Sequence, residues 1–420
     1  MCRNTPKVPA EVRASARGEP APAASRSYAA AAYHPRVTTV APRTFNFGAG
    51  NPDPGVFPSR ELGEAAQRVI ARRGHELAHY PEPRGLPELR AMAQARFERN
   101  HHVRPPLDDI VITSGANQGL HLCAQAFSRP GDAVVVEEFE YVGTLRIFRQ
   151  LGLELLAAPL DDHGMRMDAL EEMLDHQAAI GRLPSFVYTT ASYQNPTGTT
   201  QPLERRQRLI ELARRYGIPI VEDDTYGDIS FEPLREPAIY TLAQPGEVMY
   251  IGSFSKILGP GLRLGFFIAP EPLNARLMAW KIDGGTSMLS QLIAAEYLQD
   301  NLWQHIQEAA GAVKAKRNLL LDALEGEFGN VPGMHWTHPD GGLFLWIKLP
   351  EQVDRARLLE LATARGITYA TGQAFHALDQ DIPYLRLAFG WIDKEDIAEG
   401  VRLLAECVRD ATPASVRSRS

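Results

Sequence analysis

Short apolar runs alternate with stretches of helical period through most of the chain. Leu86, Leu89, Met92 and Phe97 fall on one helix face. Ile110-Val-Ile-Thr113 then reads as a buried strand. It leads into Ser114-Gly-Ala-Asn-Gln-Gly119 and a helix through Leu120–Phe127. Further strands are predicted at Ala133–Val136, Phe186–Tyr188, Ile218–Val221, Val248–Ile251 and Leu264–Ile268, with helical segments at roughly 141–151, 201–216 and 287–305. This alternation predicts an α/β domain with a largely parallel central sheet flanked by helices. The pattern changes from about Trp303 onward. A long helix over roughly 300–327 leads to strand-like runs at Gly342–Ile347 and Tyr384–Phe389, which predict a second, smaller α+β domain.

The two ends differ from this body. Residues 1–43 are rich in Ala, Pro, Ser and Arg without sustained periodicity, and we expect them to be disordered. They hold no apolar run of the kind a signal peptide needs, and their prolines weigh against an organelle leader. The segment 411–420 is expected to be a flexible tail. With 420 residues the chain is long enough for two sizeable domains. Its net charge of -7 gives no reason to expect a nucleic-acid partner. Cys2, Cys123 and Cys407 are scattered, which fits a reducing, cytoplasmic setting without a disulfide framework. No apolar stretch approaches the length of a membrane span, so no membrane partner is expected.

Candidate chemistry is concentrated at the ends of the predicted strands, where open α/β sheets bind ligands. Gly252-Ser-Phe-Ser-Lys256-Ile-Leu-Gly-Pro-Gly-Leu-Arg263-Leu-Gly265 sets one lysine between two apolar strands. A Schiff base to an aldehyde cofactor is one use for such an amine. The Ser253 and Ser255 hydroxyls and the Arg263 guanidinium suit a phosphate beside it. A surface loop with an ordinary lysine is the plain alternative. Ser114-Gly-Ala-Asn117 lies between a strand and a helix, either as an anion cradle or as a simple turn. Gln194-Asn195-Pro-Thr-Gly198 follows another strand as a turn whose amide can donate to a cofactor oxygen. In Val221-Glu-Asp223-Asp224-Thr-Tyr226, acidic residues end an apolar strand, where they are costly unless partnered. A pyridinium nitrogen is one such partner, and an acidic loop is the alternative. Arg386, between Leu385 and Leu387, either faces solvent or grips a substrate carboxylate.

In order and spacing these clusters resemble the class I/II aminotransferases of pyridoxal-phosphate fold type I, from about Asn46 to Arg409. Asn46-Phe-Gly-Ala-Gly-Asn-Pro-Asp-Pro-Gly-Val-Phe-Pro58, Gly341-Gly-Leu-Phe-Leu-Trp346 and Tyr384-Leu-Arg-Leu-Ala-Phe389 look most like the 2-aminoadipate aminotransferase group. The resemblance implies pyridoxal 5'-phosphate as cofactor, Lys256 as the Schiff-base lysine and Asp223 as the partner of the pyridine nitrogen. Asp224 stands one place late for that job. Tyr226 and Asn195 match the holders of the phenolic oxygen, and Tyr141 matches the ring-stacking aromatic. Gly115, Ala116, Asn117, Ser253, Ser255 and Arg263 match segments around the phosphate. Tyr80 matches a tyrosine that reaches the phosphate from the other subunit, which implies a homodimer with shared sites. Arg386 matches the arginine for the α-carboxylate, while Gly50 and Asn51 match a segment that closes over the substrate. The implied domains are 44–74 and 300–410 for the small one and 75–299 for the large, cofactor-binding one.

Relatives usually read Glu-x-Pro-x-Tyr where this chain has Glu137-Glu-Phe-Glu-Tyr141, and Ala191 replaces another common proline. A pocket-facing Glu140 would repel acidic substrates, whereas a solvent-facing one means little; we expect solvent. The implied activity is transfer of an amino group from an α-amino acid to a 2-oxo acid, 2-oxoglutarate being the expected acceptor, by a ping-pong cycle in which Lys256 moves the Cα proton. Elimination, racemisation, decarboxylation or oxidation would use the same parts. An effector-binding aminotransferase-like domain of a transcription regulator is a remote alternative. Arg60 and Arg84 are candidates for a distal carboxylate, and Leu343, Phe344 and Phe375 are expected to pack the small domain rather than line a pocket.

Overall fold

The structure is a computed structural model and describes residues 43–413. The expected disorder of the N-terminal extension, apart from Arg43, therefore lies outside the described residues, as do positions 414–420. Two boundary expectations change. Arg43 is held in an ion pair with Asp396, and Ala411 is the last residue of the helix Lys394–Ala411, with the Thr412 hydroxyl donating to the Val408 carbonyl (2.8 Å).

A seven-stranded sheet carries the site. Its strands are β1 (Ile110–Thr113), β2 (Ala133–Glu137), β3 (Glu154–Ala158), β4 (Val187–Thr189), β5 (Ile220–Asp224), β6 (Val248–Ser253) and β7 (Gly265–Ile268). The order across the sheet is β1-β7-β6-β5-β4-β2-β3, with β7 antiparallel to both neighbours and the remaining pairs parallel. Alternate residues pack to opposite faces. Val134 and Val136 join Val221, Ile251 and Phe267 on one side, while Val135 joins Val187, Ile220, Val248 and Leu209 on the other. Burial on both faces is why these strands read as unbroken apolar runs. The sequence reading missed β3, an edge strand that begins with an exposed glutamate and is only partly buried along most of its length.

Helices join the strands: α1 (Ser59–Arg73), α2 (Pro87–His101), α3 (Ala116–Phe127), α4 (Val142–Gln150), α5 (Met167–Ala179) and α6 (Leu203–Tyr216). Of these, α1 and α5 were not predicted. The two segments expected around residue 300 are one continuous helix of 41 residues, α7 (Met288–Phe328), about 60 Å long. The Ser287 hydroxyl caps it by accepting the Ser290 N–H (3.3 Å). It packs against α1, α2 and the C-terminal helix Lys394–Ala411.

The second sheet contains β8 (His335–Trp336), β9 (Phe344–Lys348), β10 (Ala370–Thr371) and β11 (Tyr384–Ala388) in the order β8-β9-β11-β10, all antiparallel. Phe45–Asn46 pairs in parallel with Ile367–Thr368, and the Ala388 N–H donates to the Phe47 carbonyl (2.7 Å). These bonds bring the segment from Gly48 to Asn51 beside the end of β11. Among the described residues, no helix is long and apolar enough to cross a membrane.

Candidate active site

The parallel strands β1, β2, β4, β5 and β6 all end at one edge of the sheet, and the antiparallel β7 starts there. Ligands bind open α/β sheets at this edge. A cavity of about 270 Å³ opens against it, walled by Lys256, Asp223, Tyr226, Asn195, Tyr141 and Arg386 together with Ala116, Asn117, Ser253, Ser255, Arg263, Gly50 and Asn51. Gly115 lies just behind the wall. Tyr80 does not line this cavity and is 91% exposed.

Lys256 follows β6. Its Nζ donates to the Gly50 carbonyl (2.9 Å) and sits 5.5 Å from the centre of the Tyr226 ring. Burial, helped by the positive charge of Arg386, pulls the amine down to about 8 against the pull of Asp223. Asp223, the last residue but one of β5, faces the cavity. Its Oδ2 accepts the Tyr188 hydroxyl (2.9 Å), and its Oδ1 accepts the Thr225 N–H (3.0 Å) and hydroxyl (2.7 Å). Burial raises its pKa, and these donors work against that rise. Strand alternation turns Asp224 the other way. There it accepts the Tyr250 hydroxyl (2.7 Å) and lies 3.5 Å from His101 Nε2.

Asn195 connects two functions. Its Nδ2 donates to the Tyr226 hydroxyl (3.2 Å), and its Oδ1 accepts from Arg386 Nη1 (2.9 Å). Arg386 Nη2 donates to the Gly48 carbonyl (2.7 Å). The guanidinium lies between the rings of Phe344 and Phe375, 4.3 and 4.8 Å from their centres. Burial lowers its pKa to about 10, so it stays cationic near neutrality. At the other end, the Ser255 N–H donates to Ser253 Oγ (3.0 Å) and Arg263 Nη2 donates to the Ser114 carbonyl (3.0 Å). Gly115 has φ +78, and a Cβ there would come 2.5 Å from the Arg263 guanidinium. Only glycine lets that cation approach the N-terminus of α3.

Several expectations need correction. Phe344 lines the cavity instead of only packing, and Phe375 covers the other face of Arg386; Leu343 is fully buried in the core. Arg60 is an exposed partner of Glu61, and Arg84 donates to the Asp108 carbonyl and Asn274, so neither lines the cavity. Glu140 is fully buried instead of facing solvent. The sequence reading also missed Tyr188, Thr190, Thr225 and Pro260 in the cavity wall. Tyr188 carried a usable signal: a hydroxyl near the end of β4, paired in register with Val221 on the strand that bears Asp223.

The donor set fits pyridoxal phosphate. A helix N-terminus, two serines and an arginine suit the phosphate, a buried carboxylate suits a protonated ring nitrogen, and an amine of lowered pKa suits the aldehyde. The fold and site together define a fold type I enzyme of this cofactor. The model of the aminotransferase class I and II family matches residues 42–404, and the chain belongs to that family. It is 38% identical to aromatic-amino-acid aminotransferase 1 of Thermococcus litoralis, covering 86% of this chain and 87% of the relative. It is 34% identical to the 2-aminoadipate transaminase of Thermus thermophilus, covering 88% and 91%. Among solved structures it resembles the Pyrococcus horikoshii kynurenine aminotransferase in complex with PMP, with a TM-score of 0.83, 33% identity, and coverage of 88% and 92%. The chain is a pyridoxal-phosphate-dependent aminotransferase whose substrates are amino acids and 2-oxo acids.

Proposed function

We propose that the enzyme works by a ping-pong cycle with 2-oxoglutarate as acceptor, and that Lys256 moves the proton. The carrying observation is the placement of Lys256, an amine lowered to about 8, in one cavity with Asp223 and Arg386. Bound pyridoxal phosphate supplies an electron sink that makes the substrate's Cα–H acidic. Lys256 accepts that proton from Cα, and donates it when the oxo acid is aminated in the second half-cycle. Asp223 would pair with a protonated ring nitrogen. Tyr226 and Asn195 would hold the phenolic oxygen, and Tyr141 would stack on the ring. Gly115, Ala116, Asn117, Ser253, Ser255 and Arg263 would hold the phosphate. Arg386 binds the α-carboxylate in a bidentate pair that sets Cα beside Lys256. Gly50 and Asn51 close the mouth.

We further assign the enzyme as a cytoplasmic homodimer in which the partner subunit's Tyr80 completes the phosphate site. In its support, Tyr80, Leu77, Trp280 and Ile282 are exposed apolar side chains. The free thiols Cys123 and Cys407 suit a reducing compartment. The pairing of Phe45–Asn46 with Ile367–Thr368 supports assigning 44–74 with 300–410 to a small domain against 75–299.

A visible absorption scan tests this reading. The purified protein should carry the cofactor's visible band, and one donor amino acid, added without oxo acid, should remove it stoichiometrically. Ammonia release under those conditions would mean elimination or oxidation instead. A protein that stays colourless with added pyridoxal phosphate would refute the assignment.

A further inference from the structure

The segment Glu137-Glu-Phe-Glu-Tyr141 brings two buried carboxyls next to the site. Glu137 ends β2, and Glu140 precedes Tyr141, the residue that caps α4. They are 1% and 0% exposed, and the charge of Glu137 acts on Glu140. Asp223, on β5, is a third buried carboxyl whose charge acts on Glu140. The three differ in the donors aimed at them. Asp223 accepts from Tyr188 and twice from Thr225. Glu137 accepts the Thr189 hydroxyl (2.6 Å) and the Gln194 amide (2.9 Å). Glu140 accepts the Tyr141 N–H on Oε1 (2.6 Å), and its Oε2 has no partner.

Donors stabilise a carboxylate, and a buried ionised oxygen without one is costly. Three carboxyls this close in a dry interior cannot all stay ionised. The proton goes to the oxygen with the fewest donors, Glu140 Oε2, and the Glu137 carboxylate is its acceptor. We propose that Glu140 is a positioning residue that stays protonated at neutral pH, shares its proton with Glu137, and so leaves Asp223 as the ionised carboxylate for the cofactor's ring nitrogen. The proposal rests on the assignment of Asp223 to that nitrogen. Glu140 also steadies the stacking residue: Oε1 holds the Tyr141 N–H, while its own N–H donates to the Phe375 carbonyl (2.8 Å), beside Arg386.

The surrounding groups agree. Burial, then the charge of Glu137, pushes Glu140 well above the ordinary carboxyl range, and burial pushes Glu137 up to about 7. From β4, Tyr188 is held protonated by burial and by the charge of Asp223, and it accepts from Thr144 of α4 (3.2 Å). Next to the pair, Glu138 faces His376 at 3.7 Å. A carboxyl whose folded pKa is raised contributes stability that is full below its unfolded value, near 4.5, and is lost as pH rises through the folded value.

The test compares wild type, E140Q and E137Q, as holoenzyme and after removal of the cofactor. Glutamine at 140 still accepts the Tyr141 N–H and offers an N–H to Glu137. At pH 7 the infrared carbonyl stretch of a protonated carboxylic acid should be present in wild-type apoprotein, persist in E137Q and vanish in E140Q. The pH midpoint of the holoenzyme's visible band should stay within about 0.3 units in E140Q, because no charge has been removed. E140Q should gain thermal stability over wild type as pH rises above 4.5. A wild type without the stretch, a stretch that survives E140Q, a midpoint moved by about a unit, or an E140Q that loses stability relative to wild type as pH rises would each overturn the proposal. Failure of the functional reading is seen separately, as a wild type that takes up no pyridoxal phosphate. The apoprotein spectrum decides the proton in either case.

Discussion

Arg386→Lys tests the carboxylate site while keeping its charge. The guanidinium is 6% exposed and is oriented by four groups: the Phe344 and Phe375 rings on its faces, Asn195 Oδ1 on Nη1 and the Gly48 carbonyl on Nη2. Lysine offers an ammonium on a flexible stem. It cannot lie flat between two rings, and it cannot present two parallel N–H groups to a carboxylate. At least one charge-assisted hydrogen bond to the substrate is lost, about 1.5–3 kcal/mol. At about 1.4 kcal/mol per decade, kcat/KM should fall roughly 10- to 150-fold. Steady-state kinetics should show KM rising for α-amino acids and for the 2-oxo acid together, because both present the same carboxylate. A primary amine without that carboxylate should lose little in single-turnover rate. An unchanged KM, or an equal loss for the amine, would place the carboxylate elsewhere.

Three further outcomes follow from the geometry. K256M should lose turnover and the visible band, and its apoprotein should be more stable than wild type at pH 7. The Lys256 amine falls from 10.5 to about 8 on folding, so the stability it contributes above 10.5 is lost as pH falls through 8. The difference, up to about 3 kcal/mol, should close by pH 10.5 in denaturant titrations, and a constant gap would count against the shift. F344A removes a ring that is 1% exposed and packs edge-on to Tyr226 at 5.3 Å. It should cost about 3–5 kcal/mol of stability and raise KM as Arg386 loses one face; normal KM with reduced stability would make Phe344 a packing residue only. D224A should cost about 3–5 kcal/mol by stranding His101 and Tyr250 while keeping the visible band. D223A should lower kcat by two orders of magnitude or more. Reversed phenotypes would exchange the two roles.

The cofactor-binding side of the site was legible because of how parallel sheets are buried. Their strands are apolar throughout, so a polar residue just past a run, such as Lys256, Asn195 or Asn117, must lie at the sheet's edge. The family resemblance chose Asp223 over Asp224, and strand alternation, which turns the two to opposite faces, agrees with it. Both physical arguments use only local sequence. They fail where a side chain's surroundings come from distant segments. Arg84 neighbours a site segment in sequence, yet it is captured by Asn274. Phe344 and Phe375 look like core residues because they are core residues; that they also sandwich Arg386 follows from the return of β11 beside β9.

Glu140 shows that limit most clearly. It belongs to neither a strand nor a helix, so no periodicity assigns it a face, and a lone glutamate in a connection is ordinarily solvated. Its burial depends on the Gln194 amide, which holds the Glu137 carboxylate and the Phe139 carbonyl, and on the Phe375 carbonyl, which accepts its own N–H. These partners lie on the connection after β4 and on the chain leading to β11. Proline at position 139, which the family resemblance leads one to expect, would offer no aromatic ring. Phe139 instead packs against Trp346 and Tyr384, with ring centres 5.5 and 5.7 Å away. Phe139 and Glu140 are thus physically linked: the Phe139 ring docks the connection onto the second sheet, and that docking carries Glu140 out of water. Restoring proline with F139P should therefore expose Glu140, returning its titration toward that of an ordinary glutamate. An infrared carbonyl stretch at pH 7 unchanged in F139P would show that the burial of Glu140 does not depend on Phe139.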